Sequence, residues 1–235
     1  MIKSVIKRAL GNGYRNPCIE LASNFVVGRN IEGDYFEFGV FRGDSFAFAH
    51  KQLESARHSM REYHRRNNVP IPETLGAKMR YFAFDSFQGL PPISGADANE
   101  KLPSHWQQGQ FSASRNLFLS TLRKNDVDLD SVVIVDGWYE STLNDATRQQ
   151  FSIGKGCIFN IDCDLYESTT RVLEFIRDAY VDGSIIIFDD WFGFRGNPKY
   201  GEQRAFAEWR EKYGIAASEY SRSDGQRVSF ILHAD

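Results

Sequence analysis

Cysteine is scarce in this sequence: Cys18, Cys157 and Cys163 are the three in 235 residues. An odd number without paired CxxC spacing excludes a disulfide framework and a cysteine-built zinc site, so the thiols read as reduced core residues. Proline is also sparse, at 7 against 19 glycines, and with 42% hydrophobic and 25% charged residues the chain is neither disordered nor collagen-like. Long apolar runs are missing. The longest, such as Ile185 to Phe188, are strand-sized, so no transmembrane segment is expected. No charge of one sign prevails: Lys plus Arg total 28 and Asp plus Glu 31, a net charge of -3, which gives no electrostatic case for nucleic acid. The N-terminus interleaves charge with apolar residues and lacks the apolar core and cleavage site of a secretory signal, so a cytoplasmic protein is expected. The length suits one substantial domain.

What is present is an alternation. The opening residues read as helical, with Ile2, Val5, Ile6 and Leu10 on one stripe, a break at Gly11 to Gly13, and a second amphipathic stretch from Pro17 to Val27. Short apolar runs then recur at Tyr35 to Val40, Arg80 to Phe84, Val132 to Val135, Cys157 to Ile161 and Ser184 to Phe188. Helix-period stretches separate them, including Asp44 to about Arg66 and Glu167 to Tyr180, the latter expected to turn at Asp182-Gly183. Strands alternating with amphipathic helices predict a doubly wound, mostly parallel α/β sheet. A helix around Gln203 to Tyr213 and a hairpin signal at Asp224-Gly225 predict a final antiparallel pair. The segment from Gln88 to Gln110 is too long for a minimal connection and reads as a functional flap. Arg57, Arg61, Arg65 and Arg66 form one basic cluster, either a solvated helix face or a patch for an acidic ligand.

Each predicted parallel strand ends in or beside an acid: Glu37, Asp85, Asp136, Asp162 and the pair Asp189-Asp190. In open α/β sheets ligands bind outside the carboxyl ends of the strands, so these acids are expected to face one crevice. A single one serves equally well as a helix cap; five together do not. The turn after the first strand has Gly39 and Gly43 four apart rather than GxGxxG, and Asp85 follows Glu37 by 48 residues (85 minus 37), which disfavours a nicotinamide dinucleotide. A glycine turn and a strand-two acid that can accept both ribose hydroxyls suit an adenosine whose tail is not a pyrophosphate. Asp162, Asp189 and Asp190, with Asp164 nearby and no adjacent His or Cys pair, suit Mg²⁺, Mn²⁺ or Ca²⁺.

The chain resembles the S-adenosylmethionine-dependent macrocin O-methyltransferase family. The resemblance rests on EFGVFRG at 37–43, FDSFQGLP at 84–91, WQQGQFS at 106–112, DGWYESTL at 136–143, IDCDLYEST at 161–169 and FDDW at 188–191. It implies a seven-stranded class I methyltransferase sheet at 31–235, with 1–30 as a helical extension or lid. It also implies that Glu37, Gly39, Phe41 and Ser45 hold the methionine end of the cofactor, that Asp85 takes the ribose, and that Ser86, Gly137 and Trp138 border the adenosine. Asp162, Asp189 and Asp190 are expected to hold Mg²⁺. The acceptor is expected to be a sugar hydroxyl on a natural product or a surface or lipid-linked glycan, and the protein a homo-oligomer.

A sugar hydroxyl is a poor nucleophile, so a divalent cation acting as Lewis acid and a carboxylate base are required. Asp162 is the leading base and Asp164 the substitute; His105 is an outside candidate. Trp106, Trp191 and Tyr166 can stack on an acceptor ring or pack in the core. Two alternatives remain: a metal-dependent glycosyltransferase using the DCD motif at 162–164, and a non-catalytic cofactor-binding protein.

Overall fold

The computed structural model describes residues 14–99, 102–104 and 106–234. The stripe at Ile2 to Leu10 and the candidate His105 lie outside the described residues. The chain runs α1 (Pro17–Gly28), β1 (Asp34–Phe38), α2 (Asp44–Arg66), α3 (Glu73–Gly76), β2 (Tyr81–Asp85), α4 (Arg115–Lys124), β3 (Val132–Asp136), α5 (Tyr139–Thr142), α6 (Asp145–Gln150), β4 (Gly156–Ile161), α7 (Tyr166–Ile176), β5 (Tyr180–Phe188), α8 (Gly201–Tyr213), β6 (Ala216–Ser223) and β7 (Arg227–His233).

The seven strands lie in the order β3-β2-β1-β4-β5-β7-β6. β1 to β5 are parallel, and β7 joins β5 and β6 antiparallel. The order reverses between β1 and β4, so the crossovers leave the sheet on opposite sides there and open a crevice at the strands' carboxyl ends.

Alternation along each strand splits the core into two layers. Tyr35, Tyr81, Ile158, Ile185 and Ile187 pack against α1, α2 and α4. Phe36, Phe38, Phe82, Phe84, Phe159 and Phe188 pack against α7 and α8. The second layer is an aromatic ladder, with Phe36 stacked on Phe82 at 4.7 Å and Phe38 on Phe84 at 4.8 Å. Burying each such ring contributes about 1.5–3 kcal/mol.

α1 begins under Pro17, with the Asn16 side chain accepting from the N–H groups of Cys18 and Ile19. Cys18, Ile19, Ala22 and Val26 are all buried in the first core layer, so this helix is a layer of the fold rather than an appendage. One boundary differs from the sequence reading. α7 stops at Ile176 and β5 starts at Tyr180, so Asp182-Gly183 lies inside the strand instead of before it. Gly183, at φ +86, absorbs an irregularity there, and the Ser184 hydroxyl donates to Gly156 O and accepts from Val181 N–H, each at 2.8 Å. Among the described residues no helix is long and apolar enough to cross a membrane.

Candidate active site

The chain leaves β1 through Gly39 (φ +86), Phe41 (φ +44) and Gly43 (φ +87) before entering α2. Asp85, at the end of β2, ties this turn down. Its Oδ2 accepts from the N–H groups of Val40 (2.8 Å) and Phe41 (3.1 Å), and its Oδ1 from Phe87 N–H (2.7 Å). Burial raises the Asp85 carboxyl above its ordinary range, and these N–H donors oppose the rise. Three of about four acceptor positions are therefore taken by backbone, which leaves room for one ligand hydroxyl rather than the two expected of a ribose.

Asp162 follows β4, and Asp189 and Asp190 follow β5; one oxygen from each lies within 4.8 Å of the others. Two further carboxyls crowd this trio. Asp164, 9% exposed and in the left-handed region at φ 61, sets its carboxyl beside them. Glu202 at the start of α8 accepts Asp190 N–H at 3.0 Å through Oε2, while its Oε1 is buried with no hydrogen-bond partner among the described residues. Burial raises the carboxyls of Asp162, Asp164, Asp190 and Glu202, and the neighbouring carboxylates raise them further. Hard oxygen donors under this mutual repulsion, with one oxygen unpaired behind them, fit a divalent cation.

A cleft of about 220 Å³ joins the two features. Gly39, Phe41, Asp85 and Ser86 form one wall, with Gly137 and Trp138 beside them; Asp162, Asp164, Asp189 and Asp190 form the other. Leu90, Pro91 and Phe111 also line it, as do Gln226 and Arg227 of the β6–β7 hairpin. Two expected cofactor residues stand behind the wall instead of in it. Glu37 is fully buried, accepting from the Tyr35 and Ser45 hydroxyls, and burial pushes its carboxyl up to about 7. The fifth strand-end acid, Asp136, also stays outside, half-exposed and 3.9 Å from Arg115.

The flap is tied at both ends. Leu90 N–H donates to Gln110 O and Gly109 N–H to Leu90 O, each at 2.9 Å, closing its neck. Farther along, buried Asp97 accepts the N–H groups of Tyr166 (2.9 Å) and Glu167 (3.2 Å), capping α7 from a distance, while Glu167 accepts Ala96 N–H at 3.1 Å.

The candidate ring-stacking residues take packing roles. Trp106 is 4% exposed and meets Phe194 edge-on, Trp191 packs on Phe188 and Phe230, and Tyr166 donates to Glu208 beneath Arg204. The basic cluster is resolved by length. Arg57 lies 13 residues beyond Asp44 (57 minus 44), about 20 Å down the helix from the cleft. There Arg57 donates to Thr74 O and Ala77 O, and Arg61 to Leu75 O, so these two guanidinium groups hold the loop before β2 and do not reach an acceptor.

A family model for Macrocin-O-methyltransferase (TylF) matches residues 15–221. The chain belongs to this family. It is an O-methyltransferase, and the glycosyltransferase reading of the DCD motif falls away because Asp162 and Asp164 sit in the methyltransferase's own β4–α7 loop.

Among curated relatives, the 8-demethyl-8-(2,3-dimethoxy-alpha-L-rhamnosyl)-tetracenomycin-C 4'-O-methyltransferase of Streptomyces olivaceus is 27% identical, over 90% of this chain and 69% of its own length. The demethyldecarbamoylnovobiocin O-methyltransferase of Streptomyces niveus is 26% identical, over 71% of this chain and 55% of its own. The solved O-methyltransferase NovP shares the fold at a TM-score of 0.70 and 24% identity, over 92% of this chain and 78% of that one. A calicheamicin methyltransferase follows at 0.64 and 20%, over 91% and 76%.

Within this macrocin O-methyltransferase family member, sequence reasoning missed Arg227, Glu202 and Asp97. Each acts on a residue remote in sequence, and none carries a local motif. The nearest available signal was the hairpin turn Asp224-Gly225, which places Arg227 at the mouth of the sheet.

Proposed function

We propose that the chain transfers the methyl group of S-adenosylmethionine to a hydroxyl of a sugar-bearing acceptor, with Mg²⁺ or Mn²⁺ held by Asp162, Asp189 and Asp190. The observation that carries this reading is one cleft that joins the β1 glycine turn to three converging carboxylates with a fourth beside them. The rhamnosyl group in the name of one relative supports the acceptor class. The cofactor's sulfonium end belongs at Gly39 and Phe41, and its adenosine end between Asp85, Ser86, Gly137 and Trp138.

A cation bound at the trio supplies Lewis-acid polarisation of the acceptor hydroxyl. The remaining requirement is a base. Sequence reasoning placed Asp162 ahead of Asp164, and the geometry favours the reverse order. Asp162 belongs to the trio, and a carboxylate spent on a cation is a weakened base. Asp164 stands outside the trio and lines the cleft. Burial raises its carboxyl, which strengthens it as a proton acceptor.

The test is calorimetric titration of chelator-treated protein with S-adenosylhomocysteine and with Mg²⁺, paired with turnover on a rhamnosylated acceptor. Asp162→Ala is expected to lose the Mg²⁺ signal. Asp164→Asn is expected to keep both ligands and lose turnover by about 100-fold or more. No heat with S-adenosylhomocysteine would sink the cofactor reading, and full turnover in Asp164→Asn would sink the base.

A further inference from the structure

Arg227 opens β7, and its side chain, 12% exposed, lines the cleft. The guanidinium grips Asp189 with two donors: Nε to Oδ1, and Nη2 to Oδ2 at 3.2 Å. Its Nη1 donates to Asp224 in the turn of the same hairpin. Asp189 is thus held on both oxygens by a fixed positive charge, although it is one of the three carboxylates of the acidic trio. Among the described residues no ion pair is made to Asp162 or Asp190. The tool for neutralising this corner in the absence of a metal ion is therefore already built into the chain, from an element 38 residues away (227 minus 189) that no part of the methyl-transfer reading uses.

A planar guanidinium matches a carboxylate with two parallel N–H bonds, and it cannot lose its proton in a protein. A divalent cation entering the trio meets that charge at close range, and like charges in a poorly solvated pocket repel strongly. Both cations also want the same lone pairs of Asp189.

We propose that Arg227 is the resident counter-cation of the acidic trio, a positioning residue that competes with the divalent ion for Asp189 and so sets the affinity of the site. This rests on the metal site proposed above. In the metal-free protein the Arg227–Asp189–Asp224 bridge pins the hairpin tip against the cleft. Loading the ion weakens that bridge and releases the tip, which carries the cleft residue Gln226. The alternative role for the same contact is an orienting partner of a metal ligand, whose removal weakens metal binding. The two roles predict opposite signs.

The experiment titrates the chelator-treated full chain with Mn²⁺, reading free Mn²⁺ by electron paramagnetic resonance, in wild type, Arg227→Gln and Arg227→Lys. Arg227→Gln is expected to bind Mn²⁺ at least about tenfold tighter than wild type, while Arg227→Lys, which keeps the charge, stays much closer to wild type. Equal or weaker binding by folded Arg227→Gln overturns the proposal and leaves the metal site standing. No Mn²⁺ bound by wild type or variant at millimolar concentration overturns both.

A second measurement does without Arg227→Gln, should that variant fail to fold. The Arg227 Nε–H signal, identified by its absence in Arg227→Lys, is followed by nuclear magnetic resonance while Mg²⁺ is added. Release from Asp189 is expected to speed its exchange with solvent by at least about tenfold. An unchanged exchange rate at saturating Mg²⁺ also overturns the proposal.

Discussion

A Cβ on Gly39 would overlap the carbonyl oxygen of Asp162 and stand 2.9 Å from its carbonyl carbon. The cofactor turn after β1 and the acidic loop after β4 are therefore packed backbone to backbone, and Asp162 N–H donates to Phe38 O at 2.9 Å beside the contact. Gly39 also has φ +86, a conformation that costs an L-residue about 1–2 kcal/mol before any collision. Gly39→Ala is expected to lower S-adenosylhomocysteine and Mg²⁺ affinity together, because one side chain pushes both loops. Calorimetric titration of each ligand checks this; loss of one without the other contradicts the shared contact.

Asp85 works on the same turn from the β2 side. Asp85→Ala removes the acceptor of the N–H groups of Val40, Phe41 and Phe87, and hydrogen bonds to a charged group contribute about 1.5–3 kcal/mol each. Some of those donors gain water instead. The expected outcome is a stability loss of about 2–3 kcal/mol by urea unfolding, with cofactor affinity down at least about tenfold. Asp85→Asn keeps one oxygen and is expected to fall between the two.

Glu37 supplies a pH dependence. Its carboxyl titrates at about 7 in the fold against 4.5 for the ordinary group, because burial penalises the charged form. Through that window the folded chain keeps a proton that the unfolded chain has released. The contribution of this group to stability is full below 4.5 and is lost as pH rises through about 7. Thermal melts of ligand-free protein across this range are expected to show a downward slope that flattens in Glu37→Gln. An identical slope in the variant contradicts the assignment.

Asp97 and Glu167 form a reciprocal cap between the flap and α7. Removing a cap carboxylate costs about 0.5–2 kcal/mol. Asp97→Ala is expected to lose about that much and to raise proteolytic nicking in the flap, measured by limited digestion. Because α7 begins two residues after Asp164 (166 minus 164), turnover is expected to fall with the cap while S-adenosylhomocysteine binding holds.

Much of the architecture was legible in the chain. The apolar runs at Tyr35, Arg80, Val132, Cys157 and Ser184 became β1 to β5, and Asp224-Gly225 became the β6–β7 turn. These are local signals: a strand's two-residue period and a turn's need for glycine are written within a few neighbours. The start of β5 differs from the sequence reading because Tyr180 pairs with Gly156 of β4 and the Ser184 hydroxyl donates to Gly156 O, and no local pattern records that partner.

The five parallel strands, the glycine turn, the acids at the strand ends and the family resemblance can all be read from local stretches of the chain. The surroundings of those acids follow from the folded arrangement instead. It set Glu37 behind the wall, turned Asp85 toward the backbone, gathered Asp162, Asp189 and Asp190 within 4.8 Å, and brought Arg227 onto Asp189. The reason is physical. Periodicity and turn chemistry act between near neighbours, whereas the charge and hydrogen-bonding state of a buried side chain depends on partners set by strand order, which lie tens of residues away along the chain.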